Sequence, residues 1–141
     1  MAFLYSRRVP FADTDLVGIV HFSRFFRYME EAEHALWRAA GLAIVQGADE
    51  AGWPKVSAKF DYKSPLRFED QFEVDVDIAN VTRRTVQYSF TMTRADTLIG
   101  TGTLTAVCAR WRDGGLRAIE VPQEVVRRLR AAIAESAPPQ P

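Results

Sequence analysis

The sequence has a single cysteine, no excess of either charge and no long apolar run. Cys108 alone cannot form an internal disulfide, and no basic segment followed by an apolar one opens the chain, so we expect a cytoplasmic protein. Eighteen basic residues balance eighteen acidic ones, which argues against nucleic acid as a partner. The apolar stretches fall well short of the ~20 residues that cross a bilayer, so we expect no membrane partner either.

Most motifs of known reaction classes are also missing. The chain contains no G-x-S-x-G elbow, Walker loop, dinucleotide glycine fingerprint, H-E-x-x-H or C-x-x-C. His21 and His34 with one cysteine do not make a zinc set, so we expect no metal site. We interpret Cys108 as a small buried hydrophobe and His34 as a surface or helix-pairing residue rather than a catalyst.

One long helix is predicted between Ser23, a candidate N-cap, and Gly41. Apolar residues recur there at three- and four-residue steps, with arginine and glutamate residues, Glu33 among them, largely elsewhere. The pattern QEVVRRLRAAIAE predicts a short C-terminal helix. The apolar side of the long helix is predicted to contain Phe25, Met29, Ala32, Leu36 and Ala39 or Ala40.

The rest of the chain alternates apolar and polar residues, which predicts strands. In the first of them, Val56, Ala58, Phe60 and Tyr62 are expected to face the core. Short connectors predict antiparallel meander pairing, so we expect one α+β domain over 1–136, with a sheet of about five strands around the long helix and a disordered tail over 137–141. The strands are predicted at 56–62, 72–78, 85–93 and 98–111, with a further one in 3–11 that Pro10 interrupts.

The segment FADTDLVGIVHF, residues 11–22, carries the strongest chemical signal. Asp13 and Asp15 precede Gly18, which permits a close backbone approach. Asp-Thr-Asp before glycine is also ordinary turn chemistry, in which a carboxylate caps the backbone. The segment leads into the long helix, whose first turn leaves N–H groups free to polarise a carbonyl. A carboxylate beside that helix start can activate water or attack the carbonyl itself, which makes a minimal hydrolytic site.

These residues resemble the hot-dog fold acyl-coenzyme A thioesterases of the 4-hydroxybenzoyl-coenzyme A thioesterase type. The motif D-x-D-x-x-G-x-V is followed by a helix with MEEAE, and FDYKSPLRFEDQFEV and GLRAIEVPQEV are similar to the family's second strand and C-terminal segment. The resemblance covers nearly the whole chain. It implies hydrolysis of an acyl- or aroyl-coenzyme A thioester by a homodimer or homotetramer with active sites at the subunit interface. Coenzyme A is then part of the substrate, and no cofactor is expected.

The resemblance also implies roles for individual residues. Asp15 is the catalytic carboxylate, as nucleophile or general base, and Asp13 has a supporting or capping role. Phe22 contributes its backbone N–H to the thioester carbonyl. His21 stands one position before the histidine of many general acyl relatives, and Phe11 replaces their tyrosine. Both departures favour the aryl-type relatives, which lack the histidine.

Two arginines, Arg83 and Arg84, lie in a predicted turn between strands, where aryl-type relatives carry a basic cluster. The resemblance therefore implies that they bind the phosphates of coenzyme A, while the residues alone fit a solubilising hairpin turn equally well. Lys59 and Lys63 are further candidates for phosphate contacts. The acyl pocket is expected to be lined, from two subunits, by Phe25, Met29, Trp53 and Phe60.

Two other functions stay open at this point. Hot-dog hydratases and dehydratases combine an aspartate with a nearby histidine, and Asp15 and His21 could imitate that pair, although their spacing differs from the usual signature. His21 is otherwise a loop residue that bonds backbone groups. A non-catalytic acyl-coenzyme A-binding or interaction protein would leave Asp15 as a plain turn cap.

Overall fold

The structure, a computed structural model, describes residues 2–44 and 51–136. The predicted tail over 137–141 lies outside the described residues. The one domain expected over 1–136 stays a prediction. In chain order the elements are β1 Phe3–Arg8, α1 Arg24–Ala39, β2 Lys55–Tyr62, β3 Gln71–Val81, β4 Thr85–Arg94, β5 Thr97–Val107, β6 Ala109–Arg112, β7 Gly115–Ala118 and α2 Gln123–Glu135.

Five antiparallel strands form one sheet in the order β1-β3-β4-β5-β2. The predicted fold class, an antiparallel sheet around one long helix with a short C-terminal helix, is confirmed. The meander prediction is right for β3, β4 and β5 but wrong for the two outer strands, since β1 pairs with β3 and β2 pairs with β5. The reason is that the segment between β2 and β3 crosses the sheet instead of turning back on itself. Strand β2 therefore lies at one edge.

Helix α1 packs its apolar side against the sheet. The predicted side is confirmed for Phe25, Met29, Ala32 and Leu36, which are buried. Glu33 contradicts the predicted pattern, because the residue is only 2% exposed and its carboxylate lies 2.8 Å from Lys55 Nζ at the start of β2. Lysine gives that carboxylate a partner of opposite charge, which makes its burial tolerable.

The two ends of α1 also differ in detail from the prediction. Ser23 does stand just before the helix, but its side chain does not cap it and its backbone is already helical. Its Oγ instead lies 2.8 Å from His21 Nδ1. Gly41, just past the C-terminal end, has a φ of 73°, as a helix-terminating glycine often does.

Edge strand β2 buries less than its alternation predicts. Of the four residues expected to face the core, only Phe60 is buried, while Val56, Ala58 and Tyr62 are exposed, because β2 is an edge strand that pairs on one side only within the described residues. Phe60 packs on β5 where Gly102 faces it, and a Cβ at Gly102 would lie 2.6 Å from both Lys59 O and Met29 Sδ. Only glycine fits at that crossing of strand and helix.

The predicted strand over 98–111 is interrupted at Cys108. The Cys108 N–H donates to Arg84 O and its carbonyl accepts from Ile119 N, so the backbone leaves the sheet there and continues as the hairpin β6–β7, which the sequence analysis did not predict. The thiol is buried, as predicted, and burial raises its pKa. Within 2–44 and 51–136, neither helix has the length and apolar character needed to cross a membrane.

Candidate active site

A tight loop holds the two aspartates apart. Asp15 N–H donates to Ile19 O at 2.9 Å and Gly18 N–H donates to Asp15 O at 3.0 Å. Gly18 has a φ of 90°, which side-chain-bearing residues rarely adopt, so the glycine of the motif is needed for this turn. A β-bridge between Thr14 and Val20 closes the base of the loop. Neighbouring residues in the sequence therefore point in different directions.

Asp13 is the buried aspartate. Its side chain accepts a hydrogen bond from Tyr28 Oη at 2.7 Å, and Arg24 Nε lies 3.7 Å away. Burial, together with the bond to Asp13, raises the pKa of Tyr28, so its hydroxyl stays protonated and donates. These contacts tie the loop to helix α1, as the supporting role predicted for Asp13 would require.

Asp15 is half-buried and lines a cavity of about 460 Å³, called here the Asp15 pocket. Its Oδ1 accepts the Val17 N–H at 2.9 Å. Among the described residues, its second oxygen has no hydrogen-bond partner, so one oxygen is fixed and the other is available. Side chains that share the pocket with Asp15 include Phe22, Phe25, Tyr62, Lys63 and Ser64.

The start of α1 forms another part of this pocket. Tyr62 Oη donates to the Phe22 carbonyl at 2.7 Å, and Arg24 N–H donates to His21 O at 2.9 Å. The Phe22 N–H has no hydrogen-bond partner among the described residues. It is thus a free donor at a helix N-terminus, where partial positive charge accumulates.

Tyr62, predicted from the sequence only as part of a strand, contributes to the site as well. Its ring packs edge-on against Phe25 at 5.2 Å, and burial raises the pKa of its hydroxyl, which therefore stays a donor. The bond to Phe22 fixes β2 to the helix start. The sequence gives no signal for it, because forty residues separate the two partners.

His21 does not line the Asp15 pocket. Its Nδ1 lies 2.8 Å from Ser23 Oγ, and its ring packs against the Phe22 ring with centroids 4.6 Å apart. No hydrogen bond joins His21 to Asp15 in the described part of the chain. The geometry therefore gives no support to the aspartate-histidine pair of the hydratase alternative.

The residues expected to line one acyl pocket are distributed over different places. Phe25 lines the Asp15 pocket, whereas Met29 and Phe60 are buried in the core beside it. Trp53 lies elsewhere, in a second cavity of about 740 Å³, called here the Trp53 pocket. Within a single chain Trp53 is separate from the Asp15 pocket, because the residues before β2 lie beside the C-terminal half of α1. The expectation that two subunits together line one acyl pocket stays a prediction.

Arg83 and Arg84, the main candidates for phosphate binding, lie at the opposite end of the sheet from Asp15. Arg83 occupies the turn between β3 and β4 as predicted, but its guanidinium is bound to Glu120, with Nε and Nη2 at 2.8 and 2.7 Å from Oε1. Arg84 is exposed, and its side chain has no partner among the described residues. Lys63 lines the Asp15 pocket, whereas Lys59 lies 3.8 Å from Asp61 on exposed β2.

The arrangement around Asp15 suits addition to a polarised carbonyl. Asp15, with one carboxylate oxygen that has no partner, and Phe22, with a free backbone N–H, line the same pocket, and the rings of Phe22, Phe25 and Tyr62 form part of its wall. A carboxylate can attack the carbonyl or deprotonate a water, and the N–H can stabilise the oxyanion. Within residues 2–44 and 51–136, no group of three or more histidine, cysteine, aspartate and glutamate residues is arranged to hold a metal ion.

Comparison with known proteins identifies several relatives. Residues 9–129 match the profile of the Thioesterase-like superfamily. A protein of Aquifex aeolicus (strain VF5), named provisionally as an esterase, is 39% identical over 98 residues, which are 68% of this chain and 76% of the relative. The 1,4-dihydroxy-2-naphthoyl-CoA hydrolase of Thermosynechococcus vestitus is 29% identical over 90 residues, 62% of each chain.

The fold has close counterparts among solved structures. The 4-hydroxybenzoyl CoA thioesterase from Pseudomonas sp. strain CBS-3 superposes with a TM-score of 0.81 and covers 90% of this chain and 98% of its own, at 22% identity. At 22% identity, the superposition shows that the two proteins share a fold and no more than that. The hot-dog architecture inferred from the aspartate motif is thereby confirmed.

Proposed function

The chain belongs to the Thioesterase-like superfamily, and from this membership we propose that it hydrolyses an acyl- or aroyl-coenzyme A thioester at the Asp15 pocket. The predicted enzyme class, a thioester hydrolase, is confirmed by the family. Relatives named as hydrolases of 1,4-dihydroxy-2-naphthoyl-CoA support coenzyme A as the leaving group and an aroyl substrate.

One observation carries the assignment of the site: Asp15, which has an unbonded carboxylate oxygen, and Phe22, which has a free backbone N–H, line the same pocket. The thioester carbonyl accepts the Phe22 N–H, which stabilises the oxyanion as it forms. Asp15 either attacks the carbonyl carbon, giving an anhydride that water then cleaves, or takes a proton from the attacking water. Thiolate is a good leaving group, so neither route needs a strong general acid.

Other residues of the site hold Asp15 and Phe22 in position. Asp13 holds the loop through Tyr28, and Tyr62 holds the carbonyl of Phe22, so that the N–H of the same residue keeps its direction. The bond between His21 and Ser23 gives His21 a role in shaping the helix start. Catalysis then needs no imidazole.

A homodimer that pairs two copies through β2 completes the proposal. Within the described residues this strand has a free edge, and it carries exposed apolar residues, Val56 and Tyr62, which a second copy would cover. Lys59 and Asp61 stand two residues apart on it. Antiparallel pairing centred between them sets Lys59 of each copy opposite Asp61 of the other, a self-complementary arrangement of charge.

The same pairing explains the distance between Asp15 and the two arginines. Asp15 lies near the Tyr62 end of β2, whereas Arg83 and Arg84 lie at the other end of the sheet, since Thr85 pairs with Val107 and Lys55 with Ala106. Antiparallel association brings the arginine end of one copy beside the Asp15 end of the other. We assign Arg84 as the main phosphate contact, because Glu120 already occupies Arg83.

The test is thiol release from aliphatic and aromatic acyl-coenzyme A substrates by wild type and Asp15→Asn. We expect kcat to fall at least ~10²-fold in the variant, the scale of a positioned acid or base. Asp96→Asn, at an exposed turn between β4 and β5, is the control and should be as active as wild type. An active Asp15→Asn enzyme, or a wild type that hydrolyses no thioester, would refute the assignment.

The proposed phosphate contact is tested with the same acyl-coenzyme A substrates, and the proposed dimer with the same purified protein. Arg84→Ala should raise KM more than Arg83→Ala and leave kcat little changed, because phosphate binding is remote from the thioester. Equal KM values for both variants and wild type would contradict the arginine assignment.

Sedimentation equilibrium should give at least twice the 15.9 kDa chain mass, and a monomer would contradict the pairing through β2.

A further inference from the structure

Lys63 is a charged residue of the Asp15 pocket that the chemistry proposed above does not use. The other two lysines of the chain, Lys55 and Lys59, are each paired with a carboxylate, whereas Lys63 makes no ion pair within residues 2–44 and 51–136. Lys63 is exposed and also lines the Asp15 pocket, so it lies where that pocket opens to solvent. Among the described residues that line the pocket, the charged ones are Asp15 and Lys63.

The backbone around Lys63 is held by hydrogen bonds to the neighbouring strands. The N–H groups of Lys63 and Ser64 both donate to Ile99 O in β5, at 2.8 and 3.1 Å. The carbonyl of Pro65 accepts a hydrogen bond from Arg94 Nη1 in β4 at 2.8 Å. The side chain of Lys63 therefore starts from a fixed point just after the end of β2.

Two further hydrogen bonds join this segment to the residues between the aspartate motif and α1. Tyr62 Oη donates to Phe22 O at 2.7 Å. Val20 N–H donates to Leu66 O at 2.8 Å. Lys63 lies between Tyr62 and Leu66 in the sequence, so an attachment stands on either side of it. These bonds hold the backbone of Lys63 beside the groups assigned to the reaction.

The proposed reaction creates a charge for which the residues assigned so far provide no partner. The Phe22 N–H stabilises the carbonyl oxygen, and Asp15 attacks the carbonyl carbon or activates a water. As the C–S bond breaks, its electron pair stays on sulfur and coenzyme A leaves as a thiolate. A carboxylate is a weaker base than a thiolate, so after attack by Asp15 the intermediate returns to substrate more readily than it releases an unassisted thiolate. A cation beside the sulfur would favour the forward step.

We propose that Lys63 is a further catalytic residue, whose ammonium group contacts the thioester sulfur and stabilises the coenzyme A thiolate as the C–S bond breaks. The inference rests on the proposed function. The sulfur is bonded to the carbonyl carbon, so it lies in the pocket that Lys63 lines together with Asp15 and Phe22. The thiol arm leaves toward solvent, on the side where Lys63 is exposed. The thiolate then takes up the proton that the attacking water gives off, and Lys63 keeps its own.

The first test varies the leaving group. Thioesters of one acid with coenzyme A, with pantetheine and with an aryl thiol are given to wild type, Lys63→Met and Lys63→Arg. Lys63→Met keeps the aliphatic part of the side chain and should lower kcat about fivefold to tenfold on the first two thioesters, the effect of one charge in contact with water. The loss should be smaller on the aryl thioester, because a more acidic thiol leaves faster without help. Lys63→Arg keeps the charge and should be more active than Lys63→Met.

Arg67→Met is the matched control, because Arg67 is an exposed cation on the same segment that does not line the Asp15 pocket, and its loss should leave kcat unchanged on all three thioesters. Equal kcat for Lys63→Met and wild type, or the same loss on the aryl thioester, would overturn the inference. A loss confined to the coenzyme A thioester would overturn it too and assign Lys63 to the phosphates. In each of these cases an inactive Asp15→Asn leaves the proposed function intact, whereas a wild type that hydrolyses no thioester would overturn both.

A second test does not depend on turnover. A cation near a thiol favours its ionised form, so the thiol of bound coenzyme A should ionise at lower pH on wild type than on Lys63→Met. The ultraviolet absorbance of the thiolate measures this during a pH titration of the enzyme saturated with coenzyme A. Arg67→Met should titrate as wild type does. The same titration for wild type and Lys63→Met would overturn the inference and leave hydrolysis by Asp15 untouched.

Discussion

Replacing Gly102 with alanine tests how closely β2, β5 and α1 approach one another. The new Cβ would lie 2.6 Å from Met29 Sδ and 2.6 Å from Lys59 O, well inside ordinary contact distance. The methionine side chain can rotate away. The Lys59 carbonyl belongs to backbone that is paired to β5, so it moves only if the edge strand moves.

The expected cost is at the upper end of what overpacking a core causes, about 3 kcal/mol of the free energy of unfolding. For a chain of this length that corresponds to a fall in Tm of roughly 10 °C, at about 3 to 4 °C per kcal/mol. Displacement of β2 also displaces Tyr62, which holds the carbonyl of Phe22, so kcat should fall together with stability.

The assay is urea unfolding followed by circular dichroism at fixed protein concentration, with a thermal scan as a second measurement. Gly115→Ala is the matched control, because its Cβ would meet nothing nearer than Arg112 O at 3.9 Å. That change should stay within about 0.5 kcal/mol of wild type. If Gly102→Ala is as stable as Gly115→Ala, then the close crossing of β2 and α1 over β5 is refuted.

Three further outcomes are expected. Tyr28→Phe leaves the buried Asp13 without its 2.7 Å donor and should cost about 1–3 kcal/mol in urea unfolding; an unchanged midpoint would mean that the bond contributes nothing. Tyr62→Phe should lower kcat/KM about threefold to tenfold with little change in Tm, since it loses only the bond to the Phe22 carbonyl, and a large loss of Tm would contradict this. Burial raises the pKa of Glu33 above its ordinary 4.5, so the folded chain holds that proton more tightly than the unfolded chain does. Stability from this group is complete below that value and declines as the pH rises through the raised pKa, so Glu33→Gln should gain stability relative to wild type across that interval, and parallel stability curves would refute the shift.

Much of the fold followed from sequence because its signals are local. The helical period between Ser23 and Gly41 and the alternation in the strands depend on neighbouring residues, so the positions of α1, β3 and β4 were predicted correctly, whereas the burial of β2 and of Glu33 was not. The order of the strands was not predicted correctly, because short connectors favour a meander. Nothing near β2 indicates that its partner is β5, which lies far along the chain. The same limit explains the interruption at Cys108, which follows from backbone bonds to Arg84 and Ile119.

In the candidate site too, residues close together in the sequence could be predicted and those brought in from other elements could not. Asp15, Gly18 and Phe22 lie in one contiguous motif, so their proximity could be predicted. The contribution of Tyr62 could not, since its hydroxyl reaches the helix start from another element. Glu33 was misread for a related reason: its burial depends on Lys55, which the sequence places far from it.

The edge position of β2 also bears on the order in which the chain folds. Lys55 through Tyr62 leave the ribosome before any residue of β5, the strand that holds them, because Ala106 pairs with Lys55 and Gly100 with Tyr62. Contacts between residues so far apart in sequence form slowly, since a long loop must close first. During synthesis, the apolar side of α1 therefore stays uncovered until β3, β4 and β5 have emerged, and the nascent chain is most exposed to aggregation and to chaperones in that interval.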